Sequence, residues 1–191
     1  MTTLLEIEKK YNLQTNVEAF TKLLGELGFH ETVVEHEADT YYSRPDVDYM
    51  QTVECLRIRR KDNYAELTYK PPTIAKSDVT VKPETNVRLD SPDTAREAHM
   101  LFDAIGMQEL VTVDKERHTY VHADETGLSV CIDIVADAGV FVEIEILSED
   151  EASARTRIEA LEGALELDPN SIVTLPYRDL VMNTQKDKAN A

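Results

Sequence analysis

The stretch Leu4-Leu5-Glu6-Ile7-Glu8-Lys9-Lys10-Tyr11 decides how the chain is read. In an extended strand successive side chains point to opposite faces, so Glu6, Glu8 and Lys10 share one face while Leu5 and Ile7 share the other. The pattern recurs far along the chain. Arg57 and Arg59 stand against Leu56 and Ile58, and Lys115 and Arg117 share a face. Glu143 and Glu145 stand against Val142, Ile144 and Ile146. Lys70 ends another alternating run, Lys82 and Glu84 share a face, and Asp133 adds one more carboxylate.

Alternation with β-branched and aromatic residues predicts eight strands, over 4–11, 38–43, 53–61, 64–70, 79–90, 111–121, 127–136 and 139–147. All but the second carry the charged face. Turn-forming connections at Asp62-Asn63, 123–127 and 137–139 predict hairpins, hence antiparallel pairing. Three helices are expected between strands. Thr15 with Glu18 reads as a capping box before Val17, Phe20, Leu23, Leu24 and Leu27, with Gly28 closing that helix. Ser91 and Pro92 open a second, with Ala95, Ala98, Phe102 and Ile105 on one face, and Ser148 with Glu151 opens a third carrying Ile158, Leu161 and Leu165. A short fourth follows Pro176. The class is α+β with the sheet dominant, in a single domain over 1–182 with a polar tail at 183–191.

The 191 residues suffice for one domain with its own core. A net charge of −17 argues against a nucleic-acid partner, whose phosphates demand basic surface. No leader-like N-terminus and no run of about 20 apolar residues is seen, so a cytoplasmic location without membrane attachment is expected. Cys55 and Cys131 are too few for a disulfide framework and read as free thiols.

A charged strand face has two readings. One is a solvated face whose other side packs on helices. The other is a closed antiparallel barrel in which the charged faces converge, tolerable only when the charges pair with each other, a polyanion and metal ions. In that barrel Arg and Lys clamp phosphate oxygens, and carboxylates hold Mg²⁺ or Mn²⁺.

Glu6-Ile7-Glu8-Lys9-Lys10 resembles the Glu-x-Glu-x-Lys signature of the CYTH superfamily, the triphosphate tunnel metalloenzymes. Asp39-Thr40-Tyr41-Tyr42, Leu56-Arg57-Ile58-Arg59-Arg60, Leu67-Thr68-Tyr69-Lys70, Lys115-Glu116-Arg117 and Phe141-Val142-Glu143-Ile144-Glu145 follow in that family's order, over residues 4 to 181. The resemblance implies an eight-stranded closed antiparallel β-barrel forming a tunnel, with peripheral helices. Lys10, Arg57, Arg59, Lys70, Lys82, Lys115 and Arg117 would contact the phosphates. Of these, Lys10, Arg57, Arg59 and Lys70 would serve catalysis. Glu6, Glu8, Glu84, Asp133, Glu143 and Glu145 would bind divalent metal. The fifth strand departs from the pattern, because Lys82-Pro83-Glu84-Thr85-Asn86 stands where many members have Arg-x-Glu-x-Glu, and Arg88 is a candidate for an outward position.

His30, His36, His99, His118 and His122 have no paired-ligand spacing and are assigned to packing or surface. The thiols share the phase of Arg57 and Asp133 and are assigned as small lining residues. Tyr177 and Arg178 resemble the family's aromatic C-terminal segment, which either closes one mouth or packs as an ordinary helix. The implied reactions are hydrolysis of an inorganic or organic triphosphate, which is favoured, and cyclisation of ATP to cyclic AMP with loss of pyrophosphate. A non-catalytic module binding polyphosphate or nucleotide is a third reading.

Overall fold

The structure, a computed structural model, describes residues 5–72 and 78–190. Leu4 of the first predicted strand and Ala191 of the predicted tail lie outside them. Among the described residues nine strands run as β1 (Leu5–Asn12), β2 (Phe29–Ser43), β3 (Cys55–Arg60), β4 (Ala65–Lys70), β5 (Thr80–Lys82), β6 (Thr85–Leu89), β7 (Gln108–His122), β8 (Leu128–Val135) and β9 (Gly139–Ser148). The helices are α1 (Val17–Glu26), α2 (Tyr49–Thr52), α3 (Thr94–Ala104), α4 (Glu151–Ala164) and α5 (Tyr177–Ala189).

Nine strands replace the eight predicted because the run 79–90 is broken at Pro83. Proline has no N–H to give a ladder, so the chain leaves one edge there and rejoins another. The sheet order is β5-β1-β9-β8-β7-β2-β3-β4-β6. The two edge strands, β5 and β6, are therefore neighbours in sequence. The sheet curls round until its ends meet through Pro83 and Glu84, a covalent closure with no hydrogen-bond ladder between β5 and β6. Every pairing is antiparallel, from Glu6↔Lys82 at one end to Thr68↔Asn86 at the other.

Most of the apolar core lies outside this wall. Ile7, Tyr11, Val130, Ile132, Val142 and Ile144 point away from the cavity and meet Phe20 and Leu24 of α1 and Ile158, Leu161 and Leu165 of α4. Tyr42, Ile58 and Ala65 pack outside on Ala95, Ala98 and Phe102 of α3, whereas Val111, Val113 and Phe141 share the inner phase of Lys115 and Glu143 and pack on Tyr177 and Val181 of α5, which lies against the inner face. Burying such side chains contributes about 1.5–3 kcal/mol each. Helices α1, α3 and α4 thus stabilise the sheet from outside, while α5 covers an apolar part of the inner face and leaves the rest to charge.

Helix starts differ from the sequence reading. Asn16, not Thr15, caps α1, its Oδ1 accepting the Ala19 N–H at 2.8 Å. Asp93 stands at the α3 cap, with Ser91 in the preceding turn. Asp150 caps α4, because β9 continues to Ser148. Gly28 ends α1 with φ 87°, and a Cβ there would lie 2.8 Å from the His122 ring. The helix after Pro176 is long rather than short, and residues 183–189 of the predicted tail belong to it.

Candidate active site

The sheet encloses a cavity of about 1180 Å³. Glu6, Glu8 and Lys10 of β1 line it, with Arg57 and Arg59 of β3, Lys70 of β4, Lys82 of β5 and Glu84 of the closing connection. Lys115 and Arg117 of β7 and Glu143 and Glu145 of β9 complete the ring. Asp133 of β8 stands behind that lining, 0% exposed.

Half of the ring is a cationic wall. Arg117 donates from Nε and Nη2 to the two oxygens of Asp133 at 2.7 and 2.5 Å, and Nη2 also reaches Glu143. Lys115 lies 3.3 Å from Asp133, and the Tyr177 hydroxyl donates to the same carboxylate at 2.8 Å. On β2 stand two carboxylates that the sequence reading passed over. Asp39 accepts both Nε and Nη2 of Arg59 at 2.6 Å. Glu37 is ringed by Lys61 at 2.9 Å, Arg59 at 3.1 Å and Lys115 at 3.2 Å. Burial opposes ionisation of Asp39, Glu37 and Asp133, yet the flanking guanidinium and ammonium groups outweigh it and hold all three below the ordinary carboxylate range. Contrary to the expectation from sequence, the second strand carries charge, Glu37 and Asp39, on the cavity side. Its signal lay in Glu35-x-Glu37-x-Asp39, cut off because that strand was started at residue 38 instead of 29.

The opposite half is a carboxylate pole. Glu8 and Glu145 are direct cross-strand partners on β1 and β9. Glu6 pairs with Lys70, which also lies 3.0 Å from Glu84. Burial pushes the Glu6 carboxyl up to about 8, with Glu8, Glu84 and Glu145 adding to the rise against Lys70. Burial also raises Glu145. Glu84 falls to about 2, the pull of Lys70 and Arg57 and a hydrogen bond with Glu6 outweighing its burial, so the proton of this pair sits on Glu6. Among the described residues no three His, Cys, Asp or Glu side chains converge as a preassembled metal centre. The donor chemistry nevertheless fits a hard divalent cation. Like charges placed opposite each other in a ladder repel, and oxygen-rich carboxylate sets are what Mg²⁺ and Mn²⁺ prefer.

One side of the cavity is lined by the chain entering α5. The ammonium groups of Lys10 and Lys115 sit over the Tyr177 ring, 4.1 and 5.1 Å from its centroid. Arg178, 1% exposed, donates to the Glu54 carbonyl at 2.9 Å and the Tyr49 carbonyl at 3.4 Å, pinning α2 and the turn after it. Lys82 donates to the Val53 carbonyl of that turn at 2.5 Å, and its burial lowers the ammonium pKa. Arg88 does not take the outward position: it pairs across the ladder with Glu66, on the cavity phase, while Leu89 packs outside, and it stacks on Tyr64, 3.8 Å from the ring centroid.

The thiols of Cys55 and Cys131 are both raised by burial, Cys131 to about 11, and so stay protonated at neutral pH. His118 lies outside the cavity between Glu31 and Glu116, each 2.9 Å away. His99 bonds Tyr42, and His122 packs edge-on against Phe29. No helix among the described residues is long and apolar enough to cross a membrane.

A sequence profile of the CYTH domain matches residues 4–175. "Putative adenylate cyclase MJ0240" of Methanocaldococcus jannaschii is 28% identical over 181 residues, covering 93% of this chain and 98% of that one. The structure of PH1819 from Pyrococcus horikoshii is also 28% identical, with a TM-score of 0.77 over 93% of this chain and 98% of that chain. HpAC1 from Hippeastrum, titled a putative adenylyl cyclase with a dominant triphosphatase activity, shares the fold at 17% identity and a TM-score of 0.67, over 93% and 95% of the two chains.

Proposed function

This chain belongs to the CYTH domain family, and from that premise we propose that it is a divalent-metal-dependent triphosphatase acting on a triphosphate bound inside the barrel. The observation that carries the reading is the division of the cavity into a cationic wall and a carboxylate pole facing it. A polyphosphate chain needs both. Lys10, Arg57 and Lys70 have the positions to bind its oxygens, backed by Arg59, Lys115 and Arg117. Lys82 joins them by leaving the Val53 carbonyl.

Glu6, Glu8, Glu84, Glu143 and Glu145 would hold the cation, which when bound would neutralise charge growing on a phosphoryl oxygen. Asp133 we reassign from metal ligand to anchor, because Arg117, Lys115 and Tyr177 already take its oxygens. The enclosing wall keeps bulk water from the bound chain, which strengthens every charge interaction inside.

Hydrolysis is favoured over cyclisation by the rings available. Among the described lining residues these are Tyr41 and Tyr177, and neither offers a nucleobase a free platform. Tyr177 is covered by Lys10 and Lys115, and the Tyr41 side chain is buried with its hydroxyl 3.5 Å from Asp39. Recognition then rests on phosphate alone, with water attacking the terminal phosphorus and the remaining diphosphate end departing. The name of the archaeal relative favours the second reading, attack of a ribose hydroxyl at the α-phosphorus of ATP. Purified protein given tripolyphosphate or ATP with Mg²⁺ should release orthophosphate. Cyclic AMP with pyrophosphate as the products from ATP would establish the cyclase, and neither product would sink both.

A further inference from the structure

The two arginines of β3 are held differently. Arg59 is gripped side-on, both oxygens of Asp39 taking its Nε and Nη2 at 2.6 Å, while Glu37 stands 3.1 Å from the same Nη2. Only Nη1 is left for anything else. Arg57 is held loosely. Its Nη1 is 3.5 Å from Asp39, its Nη2 3.7 Å from Glu84, and its buried Nε has no partner. A buried donor without a partner costs free energy that an incoming acceptor would offset.

The carboxylates that create this difference stand between two cationic strands. Asp39 is the direct ladder partner of Arg59 on β3, and Glu37 is that of Lys115 on β7. Without them Arg57, Arg59 and Lys115 would repel one another, and the Arg59 fork would take up no fixed direction. Both carboxylates are fully desolvated, Glu37 at 0% and Asp39 at 1% exposure, so neither is placed to touch a ligand.

We propose that Asp39 and Glu37 are positioning residues that divide the work of the two arginines. Asp39 fixes Arg59 as a single-ended charge, and Arg57 is left as the guanidinium that takes a phosphate two-pronged. This deepens the triphosphatase reading and rests on it. It also explains why the segment 35–39 is acidic on the same phase as the cavity face of β2. The carboxylates lower the ground-state pull of the wall on phosphate and in return fix its geometry.

The consequence is a split between binding and turnover. Asp39→Asn removes a negative charge from beside the phosphate site and frees the Arg59 fork. It should therefore lower kcat by roughly 10-fold or more while leaving affinity for Mg²⁺-imidotriphosphate unchanged or tighter. Arg57→Lys should weaken that affinity by about 10-fold, since an ammonium cannot reproduce the fork, and Arg59→Lys should hold it within about 3-fold. Titration calorimetry gives affinity and the active fraction together, so partial unfolding registers as lost stoichiometry and not as a changed constant. If Asp39→Asn fails to fold, Glu37→Gln serves in its place, with the same split on a smaller scale. Weaker binding in the Asp39 or Glu37 variant, or equal loss of affinity in the two arginine variants, overturns the division while the wild type still binds. Wild-type protein that binds no imidotriphosphate overturns the triphosphatase reading and the division with it.

Discussion

Carboxylates on the two sides of the cavity meet opposite fates. On the wall built from β2, β3, β7 and β8, Glu37, Asp39 and Asp133 each lie within 3.5 Å of at least two cations and are held ionised. At the pole formed by β1, β9 and the Pro83-Glu84 connection, carboxylate faces carboxylate and Glu6 keeps a proton up to about 8. The residue types are the same. What differs is the charge on the neighbouring strand, so the wall is complete as folded while the pole is complete only with an added positive charge.

Chelation tests that difference most severely. With the pole stripped of divalent cation, triphosphate turnover should fall on the order of 100-fold or more and return with Mg²⁺ or Mn²⁺. Full turnover in EDTA-treated protein would show that the pole serves some other purpose. A paired substitution comes next in size. Asp133→Ala leaves Arg117 and Lys115 buried without their carboxylate and should cost about 3–5 kcal/mol in urea unfolding. Glu145→Gln relieves repulsion from Glu8 and Glu143 and should change apo stability by no more than about 1 kcal/mol, in the stabilising direction. Equal losses at the two positions would erase the contrast between wall and pole.

Much of this was readable before any coordinates. Alternation in β1, β3, β7 and β9 placed the charged residues on one face because the period of a strand is two, and in β1, β3 and β9 the outer face is largely apolar. The second strand was misread because His30 to Glu37 has polar residues on both faces. Its first half is largely exposed on the ladder with β7, and the pairing shifts register between Glu31 and Val33, so no clean period survives. Arg178 was singled out by resemblance, but its burial was unreadable for another reason. A cation in a polar helix looks solvated, and only the carbonyls of Tyr49 and Glu54, brought from far along the chain, account for its burial. The split at Pro83 was foreshadowed by the proline itself, but the reunion of β5 with β1 and of β6 with β4 depends on sheet closure, which alternation does not encode.

The smallest expected effect is the most specific, because the two halves should respond to pH with opposite sign. Asp39 and Glu37 have pKa values below their ordinary 3.8 and 4.5, so the stability they contribute is present above about 4.5 and is lost as pH falls through the lower folded values. Glu6 is raised from 4.5 to about 8, so its contribution is full below 4.5 and drains away as pH rises toward 8. Metal-free protein should therefore be most stable near the bottom of that window and lose about 1–2 kcal/mol toward pH 8, less than the full shift implies because buried sites respond as if in a fairly polar medium. Mg²⁺ should restore that loss, since a cation at the pole does there what the proton did. Glu6→Gln should shrink the alkaline limb to the part carried by Glu145 and leave the acid limb in place, as that limb belongs to Asp39, Glu37, Asp133 and Glu84. Denaturant melts across pH 3 to 9 measure both limbs together. An alkaline limb undiminished in Glu6→Gln, or one that ignores Mg²⁺, would mean that the pole is not where proton and metal compete.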